Sequence, residues 1–414
     1  MQMNIIESEY MTDSEQAFIY DGGRSAFGRQ GGVLAPLRPD DLLAHVIKSV
    51  VGRNDFPLEA YEDVIMGNTN QAGEDCRNVG RFAALLAGMP HAVGGLTVNR
   101  LCGSGLAAVL DAARGVKSAE GQLFVAGGVE SMSRAPLILS KATSAYDRGQ
   151  QIADSTLGAR FTNPCFAAAF GNDTMPQTAD NIAQDLGISR AASDEFAAGS
   201  QAKYEAARVA GFFQDEIIPI DVPQGRKQPA LSVDADEHPR PDSTAQALER
   251  LRPLFEGGVV TAGNASGIND GAAALIVGDR RIGEKYNIRP RARIIAGAIA
   301  GVEPRVMGLG PVFAGRKALA RAGLSLADMD VIEINEAFAT QVLGCLKMLD
   351  IAFDDPRVNP NGGAIAVGHP LGASGARIAI TTLRQLERTG GRYALISLCI
   401  GIGQGIAAVI ERLD

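Results

Sequence analysis

Cys102 sits in Asn99-Arg100-Leu101-Cys102-Gly103-Ser104-Gly105, where a strand pattern ends and a helical one begins. A thiol at a helix N-terminus meets unpaired N–H groups and the positive end of the dipole, which favour the thiolate. The flanking glycines let a substrate approach the backbone. This is a nucleophile's setting, but a small free Cys packed between strand and helix fits the same pattern. His369 lies in Gly368-His369-Pro370-Leu371-Gly372-Ala373-Ser374-Gly375, a Gly/Pro-bounded turn before a helical pattern. There it is either a base working near neutral pH or a turn residue capping a carbonyl. Cys399 ends an apolar run and opens the turn Ile400-Gly401-Ile402-Gly403-Gln404-Gly405, whose N–H groups suit an oxyanion. This glycine run is no dinucleotide fingerprint, because only nine residues follow Gly405. Asn335, in Asn335-Glu336-Ala337-Phe338, is either a helix cap or an amide that orients a water.

All four residues fall at the carboxyl ends of expected strands or in the turns after them, where ligands of open α/β sheets collect. In the first part of the chain, strands are expected at 16–21, 62–66, 94–98 and 122–127, with helices at 40–52, 77–88 and 103–118. This βαβαβαβ order implies a sheet containing parallel strands, with helices on its faces. The order recurs near the end, with strands at 291–298, 329–334, 355–359, 392–399 and 404–411 and helices at 314–323, 336–349 and 373–389. Three short matches keep the same order. Asp63–Asn68 matches Asp330–Asn335. Val98-Asn99 before Gly103-Ser104-Gly105 matches Val358-Asn359 before Ala373-Ser374-Gly375. Gly267–Ala274 matches Gly401–Ala408.

A duplication is therefore expected, with core domains at 16–128 plus 266–288 and at 289–414. Residues 129–265 interrupt the first as an inserted loop domain, richer in Pro, Asp and Ser and suited to a substrate lid. Residues 1–15 read as a disordered leader without an apolar signal core.

The 414 residues carry 39 Lys+Arg against 47 Asp+Glu, a net charge of −8. A general nucleic-acid or anionic-membrane surface wants the opposite sign. Five scattered Cys with no CxxC argue against a disulfide framework or a zinc site and for a reducing, cytoplasmic setting. No apolar run is long enough for a membrane span. Glycine is in excess, 49 residues with no collagen period, which suggests many tight turns and close backbone approaches.

The motifs NRLCGSG, NEAF, GHPLGASG and CIGIGQG, in this order, resemble those of the thiolase family over residues 16–413. The resemblance implies an α/β fold of two βαβαβαββ domains in a five-layered αβαβα sandwich, with a loop domain inserted in the first. It implies that Cys102 accepts the acyl group, that His369 activates it, and that Cys399 moves the proton at the acetyl α-carbon or the CoA sulfur. Asn335, through a water, and His369 would bind one thioester oxygen; the N–H groups of Cys102 and Gly401 would bind the other. Ser266 matches a contact to the pantetheine of coenzyme A, Met175 and Phe338 join the CoA-binding set, and Arg240 matches a contact to the CoA nucleotide end, unless it is a solvated loop charge. Coenzyme A would be a co-substrate, with no permanently bound cofactor and no metal, in a homotetramer built from dimers.

Within the family, NQAGEDCRNVGR, GGVESMSRAP, ARFTNP, DTMPQTADN, VDADEHPRPD and GVEPRVMGLGP resemble members acting on 3-oxoadipyl-CoA in aromatic-compound catabolism. A broad acetyl-CoA acyltransferase or acetoacetyl-CoA enzyme is the alternative, and a non-catalytic acyl-CoA carrier a remote one. Thr174 stands where the short-chain members tend to have His before the Met aligned with Met175, which argues against acetoacetyl-CoA. A dicarboxylic acyl chain wants a cation for its free carboxylate. Arg160 in the insertion is the candidate, or an ordinary solvated Arg. Gly23-Arg24-Ser25-Ala26 departs from the family's usual Arg-Thr-Pro, away from the chemical motifs.

Overall fold

Strand positions two apart carry apolar residues to opposite faces of a sheet. In Asn269–Gly278, Ala273, Leu275 and Val277 enter one core while Ala272, Ala274 and Ile276 enter another. A sheet apolar on both faces must be covered on both, and this requirement builds the layers. The computed structural model describes residues 16–225 and 228–414. The expected leader at 1–15 lies outside them.

The first group of strands is β1 (Ala17–Ser25), β2 (Asp63–Gly67), β3 (Leu96–Val98), β4 (Leu123–Ser131) and β5 (Asn269–Gly278). The second is β6 (Ala292–Gly301), β7 (Val331–Ile334), β8 (Tyr393–Ile400) and β9 (Gln404–Arg412). They form one path, β7-β8-β9-β6-β1-β5-β4-β2-β3, in an eleven-stranded sheet; the short strands at 28–29 and 217–218 pair beside it. The sheet is mixed. β2 lies parallel to β3 and β4, and β7 parallel to β8, while β5 and β9 run antiparallel to their neighbours. The two groups follow the same order, and their first strands β1 and β6 pair antiparallel where the groups meet.

Helices α1 (Pro39–Gly52) and α2 (Val79–Leu86) cover the outer face of the first group. Helices α6 (Gly310–Ala322) and α7 (Ala339–Leu349) cover that of the second. Between the groups lie α3 (Ser104–Lys117) and α8 (Leu371–Thr389), packed on each other and on both inner faces. The result is five layers, α-β-α-β-α. Between Ser131 and Asn269 the chain adds α4 (Met175–Leu186), α5 (Arg190–Val209) and short hairpins.

Several expected bounds shift; the helix expected at 314–323 runs from Gly310 to Ala322, and the strand expected at 122–127 runs on to Ser131. Residues 355–359 form no strand but one parallel bridge, Val358 with Ile332. Pro356 and Pro360 supply no N–H, and Asn359 turns away at φ 42°. The helix expected at 336 begins at Ala339, because Phe338 stays extended and bridges Ala265 antiparallel. The helix expected at 77 begins at Val79, capped by the Asn78 side chain on the Arg81 N–H.

Candidate active site

α3 and α8 meet backbone to backbone at their N-terminal ends. A Cβ on Gly105 would lie 2.6 Å from the Gly372 carbonyl oxygen, and one on Gly375 2.3 Å from the Leu106 nitrogen. Only glycine allows this approach, and it carries the Cys102 and His369 turns to one seam.

Cys102 is half-buried, two residues before α3 begins. Leu101 before it takes the left-handed conformation, φ 47°, with Asn99 Oδ1 accepting its N–H at 3.0 Å. The expected favouring of the thiolate is opposed by burial. Burial pushes the thiol up to about 11, although the N–H groups of Gly401 and of Cys102 itself act in the opposite direction.

His369 is buried, held by Gly368 at φ 105° and by Asn269, whose Oδ1 accepts the His369 N–H at 2.9 Å. Its Nδ1 lies 2.6 Å from Ser374 Oγ, and that hydroxyl donates to the Pro370 carbonyl at 2.9 Å. With its one proton so used, Ser374 accepts from Nδ1–H, which leaves Nε2 as the ring's acceptor. Asn335 Nδ2 meets Nε2 at 3.3 Å. Burial, and then the charge of Arg377, lowers the imidazole to about 3. At neutral pH the site therefore holds a thiol and a neutral imidazole.

Asn335 is not a helix cap, since α7 starts four residues later. Its N–H donates to the Ser397 carbonyl and its Oδ1 is buried without a partner. An acceptor in that state is ready for a donor. Nor does His369 cap a carbonyl, because both ring nitrogens meet side chains.

Cys399 is the last residue but one of β8, opposite Gly405 of β9, and is buried. Burial, then Cys102 and Cys345, pushes its thiol well above its ordinary value. It packs with Met175, Phe338 and Met307 in one small apolar cluster. A Cβ on Gly401 would stand 3.5 Å from Met175 Sδ.

The Ser266 N–H donates to the Ala337 carbonyl at 2.9 Å, beside Phe338. Arg240 is exposed, its backbone N–H tied to Gln201, and its charge reaches His238. The His238 ring fills the space over Gly267, so Arg240 and Ser266 border the same strip. Arg160 stands farther off, with Nη2 donating to the Asn70 carbonyl at 2.8 Å. The loop 68–71 also accepts Asn99 Nδ2 at the Thr69 carbonyl, 3.1 Å.

The structure adds residues that the sequence reading missed: Asn269 and Ser374 around His369, and two buried carboxylates. Glu336 Oε1 accepts Asn359 Nδ2, and its Oε2 accepts Ser200 Oγ and the Ile365 N–H. Glu130 accepts the N–H groups of Thr69, Asn70 and Gly372. The acidic residues in Asn335-Glu336, just after a strand, and in Gly127-Gly128-Val129-Glu130, at the end of an apolar one, were the available signal. Among the described residues no group of three or more His, Cys, Asp and Glu could hold a metal ion. No described helix is long and apolar enough to cross a membrane.

The models "Thiolase, N-terminal domain" and "Thiolase, C-terminal domain" match residues 17–281 and 288–412. The chain belongs to the thiolase family. It is 54% identical over 400 residues to the Beta-ketoadipyl-CoA thiolase of Escherichia coli, covering 96% of this chain and 100% of that one. It is 53% identical over 401 residues to a Beta-ketoadipyl-CoA thiolase of Acinetobacter baylyi, with 96% and 100% covered. The crystal structure of human mitochondrial 3-ketoacyl-CoA thiolase in complex with CoA superposes with a TM-score of 0.89 at 39% identity, covering 96% of this chain and 98% of that one. The thiolase fold expected from the motifs is the fold observed, and as a thiolase the chain is an acyltransferase.

Proposed function

We propose that this thiolase cleaves 3-oxoadipyl-CoA with CoA to succinyl-CoA and acetyl-CoA, in aromatic-compound catabolism. The observation that carries this reading is identity of 53–54% along nearly the whole chain to beta-ketoadipyl-CoA thiolases, combined with two thiols, an imidazole and an amide at one seam.

Cys102 gives its proton to His369 Nε2 as its sulfur attacks the C3 ketone. The C2–C3 bond breaks, and its electron pair stays on C2 of the departing acetyl-CoA enolate. Cys399 protonates C2, and acetyl-CoA leaves. The thiol of the second CoA gives its proton to Cys399 and attacks the succinyl thioester. The Cys102 sulfur departs and recovers its proton from His369. One difficult transfer becomes two easier ones with ping-pong kinetics.

His369 resists protonation because its site is dry, so the imidazolium forms only beside the oxyanion that it then stabilises. The Cys102 and Gly401 N–H groups hold the oxygen on C3. His369, with a water on Asn335 Oδ1, holds the enolate oxygen. Ser266, Met175, Phe338 and Arg240 line the path of CoA, and the inserted segment 129–265 serves as the lid. Arg160, in the inserted segment and hydrogen-bonded to the 68–71 loop beside the Cys102 turn, takes the distal carboxylate. The enzyme works in the cytoplasm as a homotetramer.

The test is initial-rate thiolysis of 3-oxoadipyl-CoA, acetoacetyl-CoA and 3-oxohexanoyl-CoA. A kcat/KM advantage of about tenfold or more for the dicarboxylic substrate, the effect of one charge-assisted contact, is expected to collapse in Arg160→Ala. Equal values in the wild type overturn the 3-oxoadipyl reading. An advantage that survives Arg160→Ala overturns the role of Arg160.

A further inference from the structure

Glu130 is 1% exposed at the carboxyl end of β4, yet among the described residues no Lys or Arg pairs with it. Its carboxylate is satisfied by three backbone donors. Oε1 accepts the Asn70 N–H at 3.1 Å, and Oε2 accepts Thr69 N–H at 3.2 Å and Gly372 N–H at 2.9 Å. Two of these belong to the loop after β2. The third is an unpaired N–H in the first turn of α8, three residues after His369.

Each side leads to the site. On one, the Thr69 carbonyl takes Asn99 Nδ2, and Asn99 Oδ1 takes the Leu101 N–H beside Cys102. On the other, Gly372 sits between His369 and Ser374, which are bonded to each other. Backbone fills the surrounding space, since a Cβ on Gly372 would lie 2.4 Å from the Val129 carbonyl oxygen. Burial raises the Glu130 carboxyl to about 7, against the Thr69 and Gly372 donors that favour its charged form, and once ionised it also raises the Cys102 thiol.

The duplication explains why a carboxylate stands there. Glu130 pairs with Gly271 across β4 and β5, and Cys399 pairs with Gly405 across β8 and β9. Gly271 and Gly405 are equivalent in the repeat, and so are Cys102 and Gly372. The contact of Glu130 with Gly372 is thus the first half's counterpart of the meeting of Cys399 with Cys102. One copy of the seam carries the thiols, and the other carries a clamp.

We propose that Glu130 is a positioning residue, whose carboxylate holds the Cys102 turn and the His369 turn in register for acyl transfer. This rests on the thiolase reading above. A carboxylate is required because it alone offers acceptors on both sides. Glu130→Gln turns an NH2 toward an N–H, and Glu130→Asp is too short to span both loops.

The experiment measures steady-state thiolysis and single-turnover acylation of Cys102, followed by intact mass, in the wild type and both variants, with thermal unfolding alongside. A misplacement near 1 Å costs about 10²-fold, so acylation and kcat are expected to fall about 10- to 100-fold in folded Glu130→Gln and Glu130→Asp, with KM for CoA within about twofold. Wild-type acylation rates in a folded variant, or a loss carried by KM alone, overturn the proposal. So does failure of both variants to fold, which makes the carboxylate a folding determinant. If the wild type itself forms no thioester at Cys102, the thiolase mechanism fails, and that outcome is distinct from the others.

Discussion

The two halves of the molecule reach the seam by the same route and do different things there. In the first, β3 runs through Asn99 straight into the Cys102 turn, and α3 starts at Ser104. In the second, the chain leaves the Val358 bridge at Asn359, forms a short helix at Ala364–Val367 wrapped around Glu336, and starts α8 only at Leu371. The short connection leaves its thiol half-buried, and the long one seals its imidazole inside. A nucleophile must meet the substrate, so it stays shallow. A base that should release its proton again gains from a dry pocket, which disfavours the charged ring. The inequality of two duplicated turns thus divides the chemistry between them.

The largest expected effects break this division of labour. Cys102→Ala should lower kcat by at least about 10⁴-fold, as for other essential nucleophiles, yet move the unfolding midpoint little, because the turn is partly open. His369→Ala should cost about 10²- to 10⁴-fold and also stability, since Ser374 and Asn335 lose a buried partner. Thiolysis rates with thermal unfolding check both; equal stability losses would contradict the difference in depth. Next comes the pair Asn335 and Asn68, equivalent ends of β7 and β2. Asn335→Ala should lower kcat by about 10²-fold, as when an oxyanion donor is lost. Asn68 is buried and bonded to the Val129 carbonyl, Asp75 and the Gln71 N–H. Asn68→Ala should instead lose about 1–3 kcal/mol of stability.

A pH profile sharpens the contrast. With the Cys102 thiol near 11 and His369 near 3, the thiolate stays the minor form well past the ordinary thiol value of about 8.5. Alkylation of Cys102 by iodoacetamide, read by mass, should climb through pH 10. A plateau below pH 8 would reveal a resting thiolate–imidazolium pair and sink the neutral-pair description.

The near-continuous apolar runs at 122–127 and 392–399 made central strands legible, as the glycines at 103–105 and 372–375 did the turns. The catalytic candidates were legible because thiol and imidazole are rare and sat at strand ends. Long-range pairing was not. Nothing local says that β1 and β6 would pair, or that Phe338 would bridge Ala265 rather than enter a helix. The raised value of the Cys102 thiol was not legible, because the turn predicts a dipole while burial is a property of the whole fold. Glu130 was overlooked, since its partners are backbone N–H groups that no residue type advertises.

The smallest expected effect is that of Asn99→Ala, set against Asn359, its matched residue of the repeat. Asn359 is 1% exposed, and its amide satisfies the Ile334 N–H at 2.9 Å, the Ile334 carbonyl at 2.9 Å and Glu336 at 2.8 Å. It also holds φ 42°, a conformation that Asn tolerates better than other side chains. Asn359→Ala should therefore cost about 2–4 kcal/mol, from orphaned buried groups and the left-handed backbone. Asn99 is exposed, with water available to its partners, and Asn99→Ala should stay within about 0.5 kcal/mol. Urea midpoints decide between depth and sequence position as the source of the difference. If the two substitutions cost the same, the longer second connection is no better packed than the first, and the burial of His369 needs another cause.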